Sequence, residues 1–214
     1  MERLKPTLIN MFLSLTVVSL AAGAILAEVN SVTAGPISVS KTAQLEAAIK
    51  EVTPPFNNKP SAEAYMAVTS EGDSLKIYPA KKDNKLVGVA VESNTMKGFG
   101  GEVDVLVGFD DKVTLLNYYV LKHAETPGLG AKMQDWFHTK KNHQCVIGID
   151  MSKVQNHELK VKKDGGDVDA ITAATISSRA FLNAINRAYS AYMSTSDAES
   201  GATEQVKVEG GKQK

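Results

Sequence analysis

The chain has 214 residues, 43% of them hydrophobic, and its 24 basic residues balance 24 acidic ones. A neutral balance lacks the basic footprint that nucleic-acid phosphates select, which excludes DNA and RNA as a partner class. The single cysteine, Cys145, excludes an internal disulfide framework and a cysteine-rich metal site; set in a Val/Ile run, it is expected to be a small buried hydrophobe.

Residues 6–27 carry no charge. Leu8 to Ala27 reads LINMFLSLTVVSLAAGAILA, about 20 residues, enough at ~1.5 Å each to cross a hydrocarbon core of roughly 30 Å. The apolar core of a cleaved signal peptide is shorter, about 7–15 residues, so residues 1–27 are expected to be a short N-terminus followed by a retained anchor in the lipid bilayer. Arg3 and Lys5 precede the segment and place that end in the cytoplasm by the positive-inside tendency. The remainder of the chain is then extracytoplasmic. A lipoprotein would need a cysteine at the cleavage point, and Cys145 is far from it.

Residues 28–40, rich in Ser, Val, Gly and Thr, are expected to be a linker. Leu45, Ala48, Ile49 and Val52 follow the spacing of an amphipathic helix over 41–52, with Thr42 as N-cap and Pro54-Pro55 as its end. From Leu75 to Val120 the period becomes two, as in Val87-Val89-Val91 and Val103-Val105-Val107-Phe109, with Asp83-Asn84 and Asp110-Asp111 as turns. These runs predict an antiparallel sheet flanked by helices, an α+β domain over residues 41–193.

Gly98, Gly100 and Gly101 surround Phe99, as a β-turn or as a close backbone approach to a ligand. His123 to Met133 reads HAETPGLGAKM. It is a loop leading into a short helix marked by Met133, Trp136 and Phe137, or a functional loop offering Glu125 and Thr126 to a bound ring; spacing favours the first. Residues 144–149 and 158–162 look like two further short strands, and Gly165-Gly166 turns the chain. After it, Phe181, Ala184, Ile185, Ala188 and Tyr192 mark one face of a helix. Residues 194–214 lack periodicity and are expected to be a disordered tail.

Between the glycine turn and that helix lies Asp169-Ala170-Ile171-Thr172-Ala173-Ala174-Thr175-Ile176-Ser177-Ser178-Arg179, with four hydroxyl side chains within seven residues. The first turn of a helix has unpaired N–H groups and a positive dipole end, so it can hold a phosphate. Thr172, Thr175, Ser177 and Ser178 can donate to phosphate oxygens, and Arg179 adds a charge. On these residues alone, ordinary helix capping is the simpler reading.

Read together, Asp169 to Arg179 and Glu125-Thr126-Pro127-Gly128-Leu129-Gly130 resemble the FMN-binding domain family, in particular the G subunits of Rnf-type electron-transport complexes. The first stretch is similar to the family's flavinylation motif: Asp, two residues, Ser/Thr, a small residue, Ala, Thr, one residue, Ser/Thr. The resemblance spans roughly residues 1–193. It implies covalent FMN, joined by a phosphoester to Thr175 by a separate Mg²⁺-dependent flavin transferase that uses FAD. Asp169 would shape the motif for that enzyme, Thr172, Ser177 and Ser178 would steady the phosphate, and the Glu125-Thr126 loop would lie along the flavin ring. The chain itself would have no catalytic residue and no metal site. It would pass electrons within a ferredoxin/NAD oxidoreductase coupled to Na⁺ or H⁺ transport, alongside other membrane subunits, single-pass in the bacterial inner membrane with its main domain periplasmic.

One position departs from the family: Ala173 stands where glycine is common, which matters if the backbone there has a positive φ. A second linear match, Asp197 to Thr203, lacks a Ser/Thr two positions after Thr203, where Gln205 stands, so Thr175 is the preferred acceptor. Three other readings remain. The first is a C subunit of a Na⁺-translocating NADH:quinone reductase, which shares the domain; the second is a flavin shuttle in a different extracytoplasmic electron chain; the third is an anchored non-redox binding module in which Thr175 only caps a helix.

Overall fold

The computed structural model describes residues 7–209, apart from the side chains of Ser38 and of residues 196–209. Arg3 and Lys5, the expected cytoplasmic charges, lie outside the described residues, and so do the side chains of the second motif, Asp197 to Thr203. The chain divides into two units, one up to Leu45 and one from Glu46 onward.

The first unit is helical. Helix α1 runs Leu8–Val52, 45 residues with Pro36 inside it. The stretch expected to be a linker is therefore helical, and Thr42 is an interior residue rather than a cap. Extending an existing helix fixes one residue per added bond, whereas a new helix must nucleate. Helical sequence on both sides thus carries the weak formers of 28–40 along. The helix contains an 18-residue window of mean hydropathy 2.0 with none of it buried, long and apolar enough to cross a membrane.

The second unit is built on a five-stranded antiparallel meander in the order β1-β2-β3-β4-β5: β1 Tyr65–Val68, β2 Ser74–Lys82, β3 Lys85–Thr95, β4 Val103–Phe109 and β5 Leu115–His123. The predicted turns are where the sheet reverses. Asp83 and Asn84 both take positive φ, 52° and 63°, the pair that a two-residue hairpin requires. Asp110 closes the next turn, its Oδ1 accepting from the N–H groups of Lys112 and Thr114 at 2.9 and 2.8 Å.

Alternation along the strands gives the sheet two covered faces. On one, Ile77, Val89, Val91, Val103, Val105, Val107 and Phe109 share a core with the short helix α2, Met133–Trp136, expected from the spacing of Met133, Trp136 and Phe137, and with helix α3, Thr175–Glu209. Phe181, Ala184, Ile185 and Ala188, predicted as that helix's apolar face, are fully buried there. Phe181 stacks on Phe137 with ring centroids 4.4 Å apart. On the other face Tyr78, Ala80, Ala90 and Leu106 are buried, and so are Ala48, Ile49 and Val52 at the end of α1. A Cβ at Gly108 would fall 1.8 Å from the Val52 carbonyl oxygen, so the helix end lies directly on strand β4. The α+β architecture expected from the sequence is the one observed.

Two expected strands are absent. Residues 144–149 and 158–162 form no strand; the only strand-like pairings near them are the isolated bridges Thr114↔Asp150 and Val161↔Val168. The first segment is held by two bonds to β5, Leu115 N–H to the Ile149 oxygen at 2.9 Å and Gly148 N–H to the Leu115 oxygen at 2.8 Å. The second is held by Asn186, whose amide both donates to and accepts from the backbone of Leu159. Side-chain amides here replace the ladder that a strand would have needed. Cys145, expected to be buried, is only partly so. Helix α3 also continues to Glu209, through most of the stretch expected to be a disordered tail.

Candidate functional site

The glycine pair delivers the chain to Asp169, which is fixed from three sides. Its N–H donates to the His143 oxygen at 2.8 Å, its carboxylate accepts from the His143 N–H at 3.1 Å and pairs with Lys162 at 2.9 Å, and its carbonyl accepts from the Trp136 indole at 2.9 Å. Lys162 first, and then the His143 N–H, hold the Asp169 carboxyl below the usual carboxylate range. A carboxylate lowered on folding contributes stability that is complete above its unfolded pKa and is lost as the pH falls through the folded value. The fluorescence of Trp136, the only tryptophan, is therefore expected to stay constant from about pH 7 to 5 and to change only below about pH 4.

Past Asp169 the chain makes a β-turn from Ile171 to Ala174, closed by the Ala174 N–H on the Ile171 oxygen at 3.0 Å. Ala173, third in the turn, has φ = 60°. This is the position that a type II turn reserves for glycine. The condition raised by the sequence is met: alanine occupies a left-handed site at a cost of roughly 1–2 kcal/mol. Glycine would relieve that strain but lose about 0.4–1 kcal/mol to the greater freedom of its unfolded chain. Ala173→Gly is thus expected to stabilise the protein by at most about 1.5 kcal/mol, raising the thermal midpoint by no more than roughly 3–6 °C. A lower midpoint in differential scanning fluorimetry would contradict this.

Helix α3 begins at Thr175. The N–H groups of its first turn have no intrahelical acceptor, as at any helix start. Thr175 is partly exposed and borders a cavity of about 300 Å³ lined by Phe99, Glu125, Thr126, Leu129, Gly130 and residues 173–177. Three large apolar side chains on this rim face solvent: Phe99 at 70%, Ile176 at 49% and Leu129 at 39% exposure.

Behind the cavity Glu125 is buried, at 5% exposure. Its Oε2 accepts from the Ser177 hydroxyl at 2.5 Å and its Oε1 from the Gly100 N–H at 3.2 Å. A Cβ at Gly130 would lie 2.3 Å from the Ser177 oxygen and 2.6 Å from Glu125 Oε2. At Gly100 it would lie 2.0 Å from the Ala124 carbonyl oxygen. Both glycines are there for close approach. The Gly98–Gly101 turn, the Glu125–Gly130 loop and the start of α3 thus meet around one carboxylate.

The predicted residues fall into two groups. Thr175, Glu125, Thr126 and Ser177 come together at the cavity. Ser178 points inward, fully buried, accepting from the Ile171 N–H at 2.9 Å and donating to the Ala174 oxygen at 3.0 Å. Thr172 is exposed and, like Asp169, lies outside the cavity lining. Arg179 is engaged with Asp164 in a two-pronged ion pair at 2.7 Å. Phe99, Leu129 and Ile176 were not singled out from sequence. Three glycines within four positions around Phe99, more than a turn needs, were the available signal.

Residues 98–190 match the FMN-binding domain family, a stretch that includes every residue of this cavity. Over a longer span the chain is 34% identical to the G subunit of the ion-translocating oxidoreductase complex of Escherichia coli (strain K12), covering 81% of this chain and 86% of that protein. It is 35% identical to the G subunit from Yersinia pestis, with the same coverage, and 37% identical over 115 residues to that of Haemophilus influenzae (strain PittEE), covering 52% and 53%. The chain belongs to the family of G subunits of ion-translocating oxidoreductase complexes.

Proposed function

We propose that this protein carries FMN through a phosphoester on Thr175 and passes electrons within an Rnf-type ferredoxin/NAD oxidoreductase coupled to Na⁺ or H⁺ transport. The observation that carries the proposal is the exposure of Thr175 at the start of α3, beside a cavity with an apolar, partly solvent-facing rim. The first-turn N–H groups suit a phosphate, and Phe99, Leu129 and Ile176 suit a flat aromatic ring. Phosphate contacts would come from those N–H groups, since the hydroxyls of Ser177 and Ser178 already have partners.

At about 300 Å³ the cavity is at the small end of ligand pockets, about 300–1,000 Å³. It would bury only part of a flavin, so affinity alone would retain the cofactor poorly; a covalent bond removes that requirement. FMN supplies the redox chemistry, and the chain supplies position and surroundings. Helix α1 would anchor the protein in the bacterial inner membrane with the second unit on the periplasmic side, beside the complex's other membrane subunits. The names of the relatives favour this assignment over a C subunit of a Na⁺-translocating NADH:quinone reductase. Intact mass and in-gel fluorescence of the full chain, produced with a flavin transferase, test the proposal. One FMN adduct supports it; an unmodified chain favours a non-redox binding module.

A further inference from the structure

The geometry points to Glu125 as a positioning residue for the flavin-transfer reaction, acting on Thr175 through Ser177. The inference rests on Thr175 being the acceptor. In that reaction the Thr175 hydroxyl oxygen forms a bond to the FMN phosphorus of FAD as the pyrophosphate bond to AMP breaks. AMP leaves, and the hydroxyl proton goes to a base on the transferase.

Glu125 is among the residues lining the cavity, but its carboxylate is not free to act on the incoming group. The residue is 5% exposed, and both carboxylate oxygens have partners within the protein. The Oε2–Ser177 bond joins residues 52 apart in sequence, and Ser177 is two positions after the acceptor in the first helical turn. The same carboxylate takes the Gly100 N–H through Oε1. It therefore joins three segments, and the acceptor lies on one of them.

This arrangement is more specific than packing demands. A buried carboxylate is costly unless it is bonded, and an apolar side chain could fill the space at less cost. Gly98 and Gly130 leave no room for a Cβ beside the carboxylate, each placing it 2.6 Å from a Glu125 oxygen. The strained turn at Ala173 immediately precedes the helix. Ser178 still ties the first turn of α3 to Ile171 and Ala174, so loss of the Glu125–Ser177 bond would shift that turn rather than unwind it, displacing the Thr175 hydroxyl from its place before the transferase. Transfer in line at phosphorus is sensitive to such displacement: misplacing a reacting group by about 1 Å costs up to about a hundredfold.

The test uses detergent-solubilised full chain, purified transferase, FAD and Mg²⁺, with initial transfer rates read by intact mass and folding checked by thermal midpoint. Ser177→Ala and Glu125→Ala are each expected to lower kcat by roughly tenfold to a hundredfold while leaving KM for the acceptor protein near wild type. The double variant is expected to be no slower than either single one, because one bond is lost in all three. Glu125→Gln keeps an acceptor oxygen for Ser177 and is expected to recover much of the rate. Wild-type kcat in Ser177→Ala overturns the inference, as do losses that multiply in the double variant. Should Glu125→Ala fail to fold, Ser177→Ala and Glu125→Gln decide the matter alone. Thr175→Ala separates the two levels: loading of that variant sinks the assigned acceptor, whereas wild-type loading of Ser177→Ala with none of Thr175→Ala sinks only the role of Glu125.

Discussion

Thr175→Ala is expected to abolish covalent flavin completely while leaving the fold intact. The change removes the only atom able to form the phosphoester at this position. Thr175 is partly exposed at the helix start, and no core contact depends on its hydroxyl. Alanine is also a good helix former, so the thermal midpoint of the unloaded chain should stay within a few degrees of wild type. Intact mass after production with a transferase reads the outcome directly. Thr203→Ala is the matched control, because the linear pattern from Asp197 to Thr203 is the other candidate. It should load fully. A fluorescent band that survives Thr175→Ala and disappears in Thr203→Ala would overturn the assignment.

The largest effect on stability is expected at Arg187. Its side chain is about 10% exposed and joins helix α3 to two parts of the sheet. One guanidinium nitrogen donates to the Asn94 carbonyl on β3, another to Asp73 at 2.5 Å beside β2, and Nε lies 3.3 Å from a Glu71 carboxylate oxygen. That last contact is an ion pair without hydrogen-bond geometry, since Nε has no bonded partner. Removing one member of a fully buried pair costs about 3–5 kcal/mol. Here Glu71 and Asp73 are 46% and 64% exposed, so water would take over their charges and the loss is smaller. The Asn94 carbonyl and the packing of the arginine stem remain at stake. Arg187→Ala is therefore expected to cost about 2–3 kcal/mol, lowering the midpoint by roughly 4–12 °C. A change under about 2 °C would show that the helix is held by its apolar face alone.

What could be read from the sequence is what repeats. The two-residue period marks β2 to β5, the helical period marks the buried face around Phe181, and Asp83-Asn84 marks its hairpin. Apart from the short helix at Met133–Trp136, residues 124–174 repeat nothing. Single long-range bonds hold them, such as the Trp136 indole on Asp169 and the Asn186 amide on Leu159, and no local pattern encodes such bonds. The apolar run 144–149 therefore looked like a strand although its bonding partners make only a short pairing with β5. The site divides the same way. Thr175 stands out as a candidate because its motif is contiguous, and the left-handed backbone at Ala173 is foreseeable from the glycine common at that position. The link between Ser177 and Glu125 crosses half a hundred residues and became visible only once the chain was folded.

The place of Thr175 on α3 has one more consequence. Sites built on packed helices are held more closely than sites on loops, and this helix is pinned along the whole sheet by fully buried residues from Ala180 to Ala191. Electron tunnelling weakens steeply with separation, so the scatter in donor–acceptor distance matters as much as its mean. A flavin whose phosphate is fixed to the first residue of such a helix would have one end that hardly moves. The remaining spread in its reach would then come from the short ribityl arm rather than from the protein.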